Sequence, residues 1–162
     1  MRTIAIGLLA LVLAVAEASA QTADERARIL RDFEERVADY TTRHKCFDMF
    51  PEALNPATPA PRIFTPPVAV VFRQEIARAL AERDGVAALN GVGVFAHPVV
   101  LEPFPSHQLH EFPRVLQDAL PPLPATLEYR LIGHDLVVRD KEADIIVGVL
   151  RDAVGNSLTV VR

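Results

Sequence analysis

All thirteen prolines of this 162-residue chain fall between Pro51 and Pro124, and six of them lie between Pro51 and Pro67. Proline has no amide hydrogen and a fixed φ, so it ends helices and is excluded from central strands. Long regular elements are therefore confined to the residues before Pro51, to the gap between Pro67 and Pro98, and to the proline-free stretch after Pro124. The stretch PEALNPATPAPR, within residues 51–65, has few ladder donors and no apolar period, so it reads as an extended connector; a proline-rich ligand for a partner is the alternative reading.

Before the prolines, Thr22-Ala23-Asp24-Glu25 has the form of a capping box, in which a hydroxyl and a carboxylate satisfy the first orphan amides of a helix. Leu30, Phe33, Val37 and Tyr40 then recur on one helical stripe. Arg28 with Asp32, Arg31 with Glu35, and Asp32 with Arg36 are opposite charges four residues apart on the other side. A helix of about six turns is expected within residues 21–50. Thr65-Pro66-Pro67 reads as an N-cap with prolines in the first turn. Val68, Phe72, Ile76 and Leu80 share a face, and Gly85 supplies a left-handed stop near Arg83.

Glycines and prolines break residues 86–112, which predicts loop with one short edge strand. Pro113 opens a short helix that runs to Leu120, where Pro121-Pro122 ends it. Beyond Pro124, Leu127, Tyr129 and Leu131 alternate with Glu128 and Arg130. Gly133-His134 is a tight turn into Leu136-Val137-Val138, and a turn at Asp140-Lys141-Glu142 leads to the β-branched run from Ile145 to Leu150. The expected fold class is α+β: two amphipathic helices and a short third helix packed on a C-terminal three-stranded antiparallel β-meander. Residues 66–162 form the α+β part of the same single domain as the N-terminal helix.

The extreme N-terminus has the three parts of an export signal: Arg2, the apolar run from Ile4 to Ala16, and Ala18-Ser19-Ala20. At about 1.5 Å per residue that run is roughly 20 Å long, short of a bilayer's roughly 30 Å core. Cleavage after Ala20 is expected, with the working chain starting at Gln21 in the periplasm or outside the cell and no stable membrane insertion. Removing 20 of 162 residues leaves 142, one ordinary domain. Arg2 and Glu17 cancel, so the net charge of −4 is unchanged, and with charges interspersed there is no basic face for nucleic acid.

RIFTPPVAVVFRQEIARAL, FPRVLQDALPPLP and LEYRLIGHDLVVRDKEADIIVGVLRDAV together resemble an uncharacterised family of exported bacterial proteins, over most of the mature chain. LPPLPATLEYRLIGHDLVVRD is the most specific part. YRLIGHDLVV and the strand after it also resemble the C-terminal meander of the RcnB-like periplasmic proteins, which are tied to nickel and cobalt homeostasis. Both resemblances imply architecture and no activity.

Candidate chemistry is sparse. His97, His107 and His110, with Glu102 and Glu111, are residue types that ligate zinc, nickel or copper. The stretch HQLHE lacks the glutamate that follows the first histidine in HExxH, and the alternative reading is surface histidines in an irregular loop. Ser106 beside His107, and His134 beside Asp135, contain hydrolytic residue types without a G-x-S-x-G elbow. Cys46 is the one cysteine, so no intrachain disulfide forms; it is a buried small hydrophobe, an intermolecular disulfide, or a thiol activated by His44 and Lys45. Asp135, Asp140, Glu142 and Asp144 could bind calcium but do not match an EF-hand, and turn geometry accounts for Asp at such positions. No cofactor is implied. The reading is a non-enzymatic binding or structural module of the envelope, with an envelope protein or a small ligand as partner; a periplasmic metal-binding protein and a small hydrolase remain as alternatives.

Overall fold

The computed structural model describes residues 22–43, 61–81, 97–105 and 111–155. Helix α1 covers 22–43, α2 runs Pro66–Ala81 and α3 Arg114–Ala119; strands β1 Leu127–Ile132, β2 Asp135–Asp140 and β3 Ile145–Leu150 follow. The protein is α+β with its antiparallel sheet at the C-terminal end, in the order β1-β2-β3.

Helix α1 buries the expected stripe, with Phe33 and Val37 inside and Leu30 and Tyr40 packed against the core. Of the three expected i,i+4 pairs, Asp32–Arg36 closes at 3.0 Å, whereas Arg28 and Arg31 make no ion pair among the described residues. Helix α2 buries Val68, Phe72, Ile76 and Leu80 as its spacing predicts. Its buried face also carries Glu75, which pairs with Arg26 of α1 and with Arg78. Thr65 does not cap α2 as the sequence suggests: its hydroxyl faces Asp32 at 3.5 Å and ties the helix start to α1. Rings of Phe33, Phe64, Phe72, Tyr129 and Phe112 follow one another at centroid spacings of 4.7–6.3 Å, joining both long helices to β1.

Ile132 pairs with Asp135 across a two-residue loop. Gly133 takes φ 58° there, as the first central residue of a type II′ hairpin turn requires. At the second turn Asp140 Oδ1 accepts from the Glu142 and Ala143 amides at 2.9 and 3.0 Å, so this aspartate holds its own turn. Val138 pairs with Gly148 and Arg139 with Ile146, which leaves Val147 as the extra residue of a β-bulge. The bulge turns the backbone at Gly148 toward Ile63 and Phe64, and a Cβ there would lie 3.3 Å from both side chains.

Helices cover one face of the sheet, over Leu127, Tyr129, Leu131, Leu136, Val138, Val147 and Leu150. The sequence predicts this helical layer and reads residues 86–112 as loop with one short edge strand, assigning nothing to the opposite face. Residues 97–105 cross that opposite face, where Phe104 packs on Ile132, Val137 and Ile146 and the Arg139 guanidinium sits 4.9 Å above the Phe104 ring. The same segment covers the outer edge of β3. Leu101 donates to Ile146 at 2.7 Å, Ile146 donates to Glu102 at 2.9 Å, and Pro103 makes an isolated bridge to Ile145, in place of the short edge strand that the sequence predicts.

Candidate functional site

The phase of the β1–β2 ladder decides what β1 shows to the outside. In a two-residue hairpin the closing pair is hydrogen-bonded, and opposed pairs then alternate. Ile132–Asp135, Arg130–Val137 and Glu128–Arg139 are therefore the pairs that bond across the ladder. The Thr126 carbonyl accepts from Lys141 at 2.9 Å, one step further in the same phase. The amides and carbonyls of Tyr129 and Leu131 consequently point away from β2. Neither residue has a further backbone partner among the described residues, whereas the Leu127 amide is taken by the Pro124 carbonyl at 2.9 Å.

An open cleft of about 760 Å³ runs between α3 and β1. Its wall is Phe112, Leu120, Pro121, Pro122 and Leu123, its floor is Leu127 to Arg130, and Glu111, Arg114, Gln117 and Asp118 stand on the rim. Proline placement shapes this geometry: Pro113 precedes α3, Leu120 leaves it in extended conformation, and Pro121-Pro122 keeps the helix from continuing.

The ionisable groups on the cleft floor are engaged in structure. Glu128 binds Arg130 and its ladder partner Arg139, each at 2.7 Å, and Arg139 also holds Asp144 at 2.7 Å. Burial raises the Glu128 carboxyl, but the two guanidiniums outweigh it and hold the group below the ordinary glutamate range. The Tyr129 hydroxyl donates to the Pro121 carbonyl at 3.0 Å. Burial first, then the Glu34 charge, pushes that phenol well above its ordinary value, so it stays neutral. Neither group is poised near neutrality for proton transfer.

Asp135 anchors the far end of the hairpin. Its Oδ2 accepts from Arg151 at 2.6 Å and its Oδ1 from the Asp152 amide at 2.8 Å. Arg151 also donates to the Pro98 carbonyl at 2.6 Å, and Arg73 of α2 donates to the Arg151 carbonyl at 2.9 Å. Unlike Asp140, Asp135 does not hold its own turn but ties the sheet to residues 97–105 and to α2.

Of the candidates read from the sequence, His97 is exposed in the segment crossing the outer sheet face, with Glu102 exposed beyond it. His134 occupies the hairpin turn, where its carbonyl accepts from Val154 at 3.2 Å, and the adjacent Asp135 is committed to Arg151. Cys46, Ser106, His107, His110, Gly85 and the cleavage site after Ala20 lie outside the described residues. Among the described residues no group of three or more His, Cys, Asp or Glu side chains comes together as a metal site, and no helix is long and apolar enough to cross a membrane.

The open edge of β1 was not foreseen from sequence, although the alternation Glu128-Tyr129-Arg130 carries half of the signal. The other half is the ladder phase, which needs the turn geometry. The chain matches no protein-family model, no curated protein and no solved structure.

Proposed function

We propose that this chain is an exported, non-enzymatic docking module of the cell envelope that receives an extended polypeptide in the α3–β1 cleft, along the edge of β1. The observation that carries this reading is the outward aim of the Tyr129 and Leu131 backbone groups along the edge of β1, with Tyr129 in the floor of an open cleft that has an apolar wall. An added strand hydrogen-bonds such groups, and side-chain pockets beside the edge then select sequence. The engagement of Glu128 and Tyr129 in fixed internal contacts favours binding over acid–base chemistry. Export is supported by Arg2, the Ile4 to Ala16 run and Ala18-Ser19-Ala20, which together have the form of a secretory signal.

Panning a random-peptide phage library against the immobilised protein tests the reading. Wild type is expected to enrich short extended sequences. Gln117→Trp, at an exposed rim position that should leave the fold intact, is expected to abolish the enrichment by filling the cleft. Failure of the wild type to enrich any sequence, or equal enrichment by both proteins, overturns it.

A further inference from the structure

We propose that the strand received at the β1 edge is β1 of a second copy of this chain, paired antiparallel about a two-fold axis at Tyr129 to give a six-stranded sheet. The inference rests on the docking reading above and names its partner.

Backbone phase restricts the choice of register. The outward groups are the amides and carbonyls of Tyr129 and Leu131 and the carbonyl of Leu127, whose amide the Pro124 carbonyl already holds, so these residues face one another across the new ladder while Glu128 and Arg130 fall in the close, non-bonded positions between. Centring the axis on Tyr129 sets Leu127 opposite the partner's Leu131 and Glu128 opposite the partner's Arg130, twice by symmetry. Moving the axis one step toward the C-terminus puts Arg130 opposite the partner's Arg130. Moving it one step the other way puts Glu128 opposite the partner's Glu128. Directly opposed charges on adjacent strands attract or repel according to sign, so the charge order of β1 selects one register and opposes both neighbours. The pattern is self-complementary, as an isologous interface requires.

Two further features fit. Arg139 stays on Glu128 from within the same copy at 2.7 Å, so the carboxylate keeps a guanidinium of its own copy when the partner's Arg130 comes opposite. The opposite edge of the sheet is covered at its start, where Leu101 and Glu102 bond Ile146 of β3, which opposes strand addition there.

Sedimentation equilibrium of the full chain secreted into the periplasm, with amide hydrogen exchange on the same sample, tests this. Wild type is expected to dimerise, with the Tyr129 and Leu131 amides protected at high concentration and exchanging freely on dilution. Arg130→Glu and Glu128→Arg each create like charges across the axis and are expected to weaken the dimer about tenfold or more. An equimolar mixture of the two variants restores opposite charges and is expected to recover a dimer. Because Glu128→Arg also faces Arg139 and could lower stability, circular dichroism accompanies each variant, and the wild-type exchange result stands without them. A monomer at all concentrations, or a dimer whose Tyr129 and Leu131 amides still exchange freely, overturns the inference. A monomer that enriches peptides in panning overturns it while the docking reading survives; a monomer that enriches none removes both.

Discussion

The Tyr40 hydroxyl on α1 donates a 2.8 Å hydrogen bond to Oδ2 of Asp140 at the end of β2, across a separation of 100 residues. Asp140 is 2 % exposed, and its other oxygen holds the turn amides of Glu142 and Ala143. One carboxylate thus fixes a local turn and a distant helix together. Tyr40→Phe keeps the ring and removes the donor, which should cost about 1–2 kcal/mol and lower the melting temperature by a few degrees. Thermal unfolding followed by circular dichroism checks this, and an unchanged midpoint would show that the contact contributes nothing.

Glu128 gives the acid limb of stability a predictable sign. Its folded pKa lies below the ordinary 4.5, so it binds its proton more weakly when folded than when unfolded. Its contribution is complete above that unfolded value and is lost as pH falls through the lower, folded one. Asp32, lowered by its hydrogen bond from Arg36, acts in the same direction. Urea midpoints measured from pH 6 down to pH 3 should fall less steeply in Glu128→Gln than in wild type. Parallel curves would contradict the assignment.

The β-bulge at Val147 brings the chain against the segment that precedes α2. With 3.3 Å between a Cβ at position 148 and both Ile63 and Phe64, Gly148→Val must displace buried side chains, at about 1–3 kcal/mol. Chemical denaturation measures it, and a neutral result would mean that the Ile63–Phe64 segment yields freely.

Leu101 is 49 % exposed at φ 72°, in a turn closed by the Glu102 amide on the Val99 carbonyl at 3.3 Å. This is the third position of a type II turn, which favours glycine. Relief of a left-handed leucine is worth about 1–2 kcal/mol, offset by about 0.5–1 kcal/mol of glycine chain entropy. Leu101→Gly is therefore expected to be stabilising by up to about 1 kcal/mol, an outcome opposite to that of most leucine replacements. Clear destabilisation by the same denaturation assay would mean that Leu101 is packed more than its exposure indicates.

These particulars also show what could be read from the residues alone. The stripe from Leu30 to Tyr40, the α2 face from Val68 to Leu80, the helix between Pro113 and Pro121, and both turns of the meander follow from local rules, because period, capping and proline placement act over a few residues. Thr65 misleads because tertiary contact competes for its hydroxyl: a local rule assigns it to its own helix, and Asp32 lies opposite. The sandwiching of the sheet was hidden because Phe104 sits among prolines, in a stretch with no period. Glu75 on a buried face is intelligible only once Arg26 of a different helix is beside it. The β1 edge depends on the phase of a ladder, a property of paired strands and not of either strand's sequence.

The central claim, docking of a polypeptide on an exported chain, is tested most directly by native mass spectrometry of the protein recovered from the periplasm. The account predicts a chain beginning at Gln21 that carries a second polypeptide, released when Gln117→Trp or Arg130→Glu disturbs the α3–β1 cleft and its strand edge. A chain that retains residues 1–20, or a bare monomer at every concentration that also enriches no peptide in panning, would contradict it.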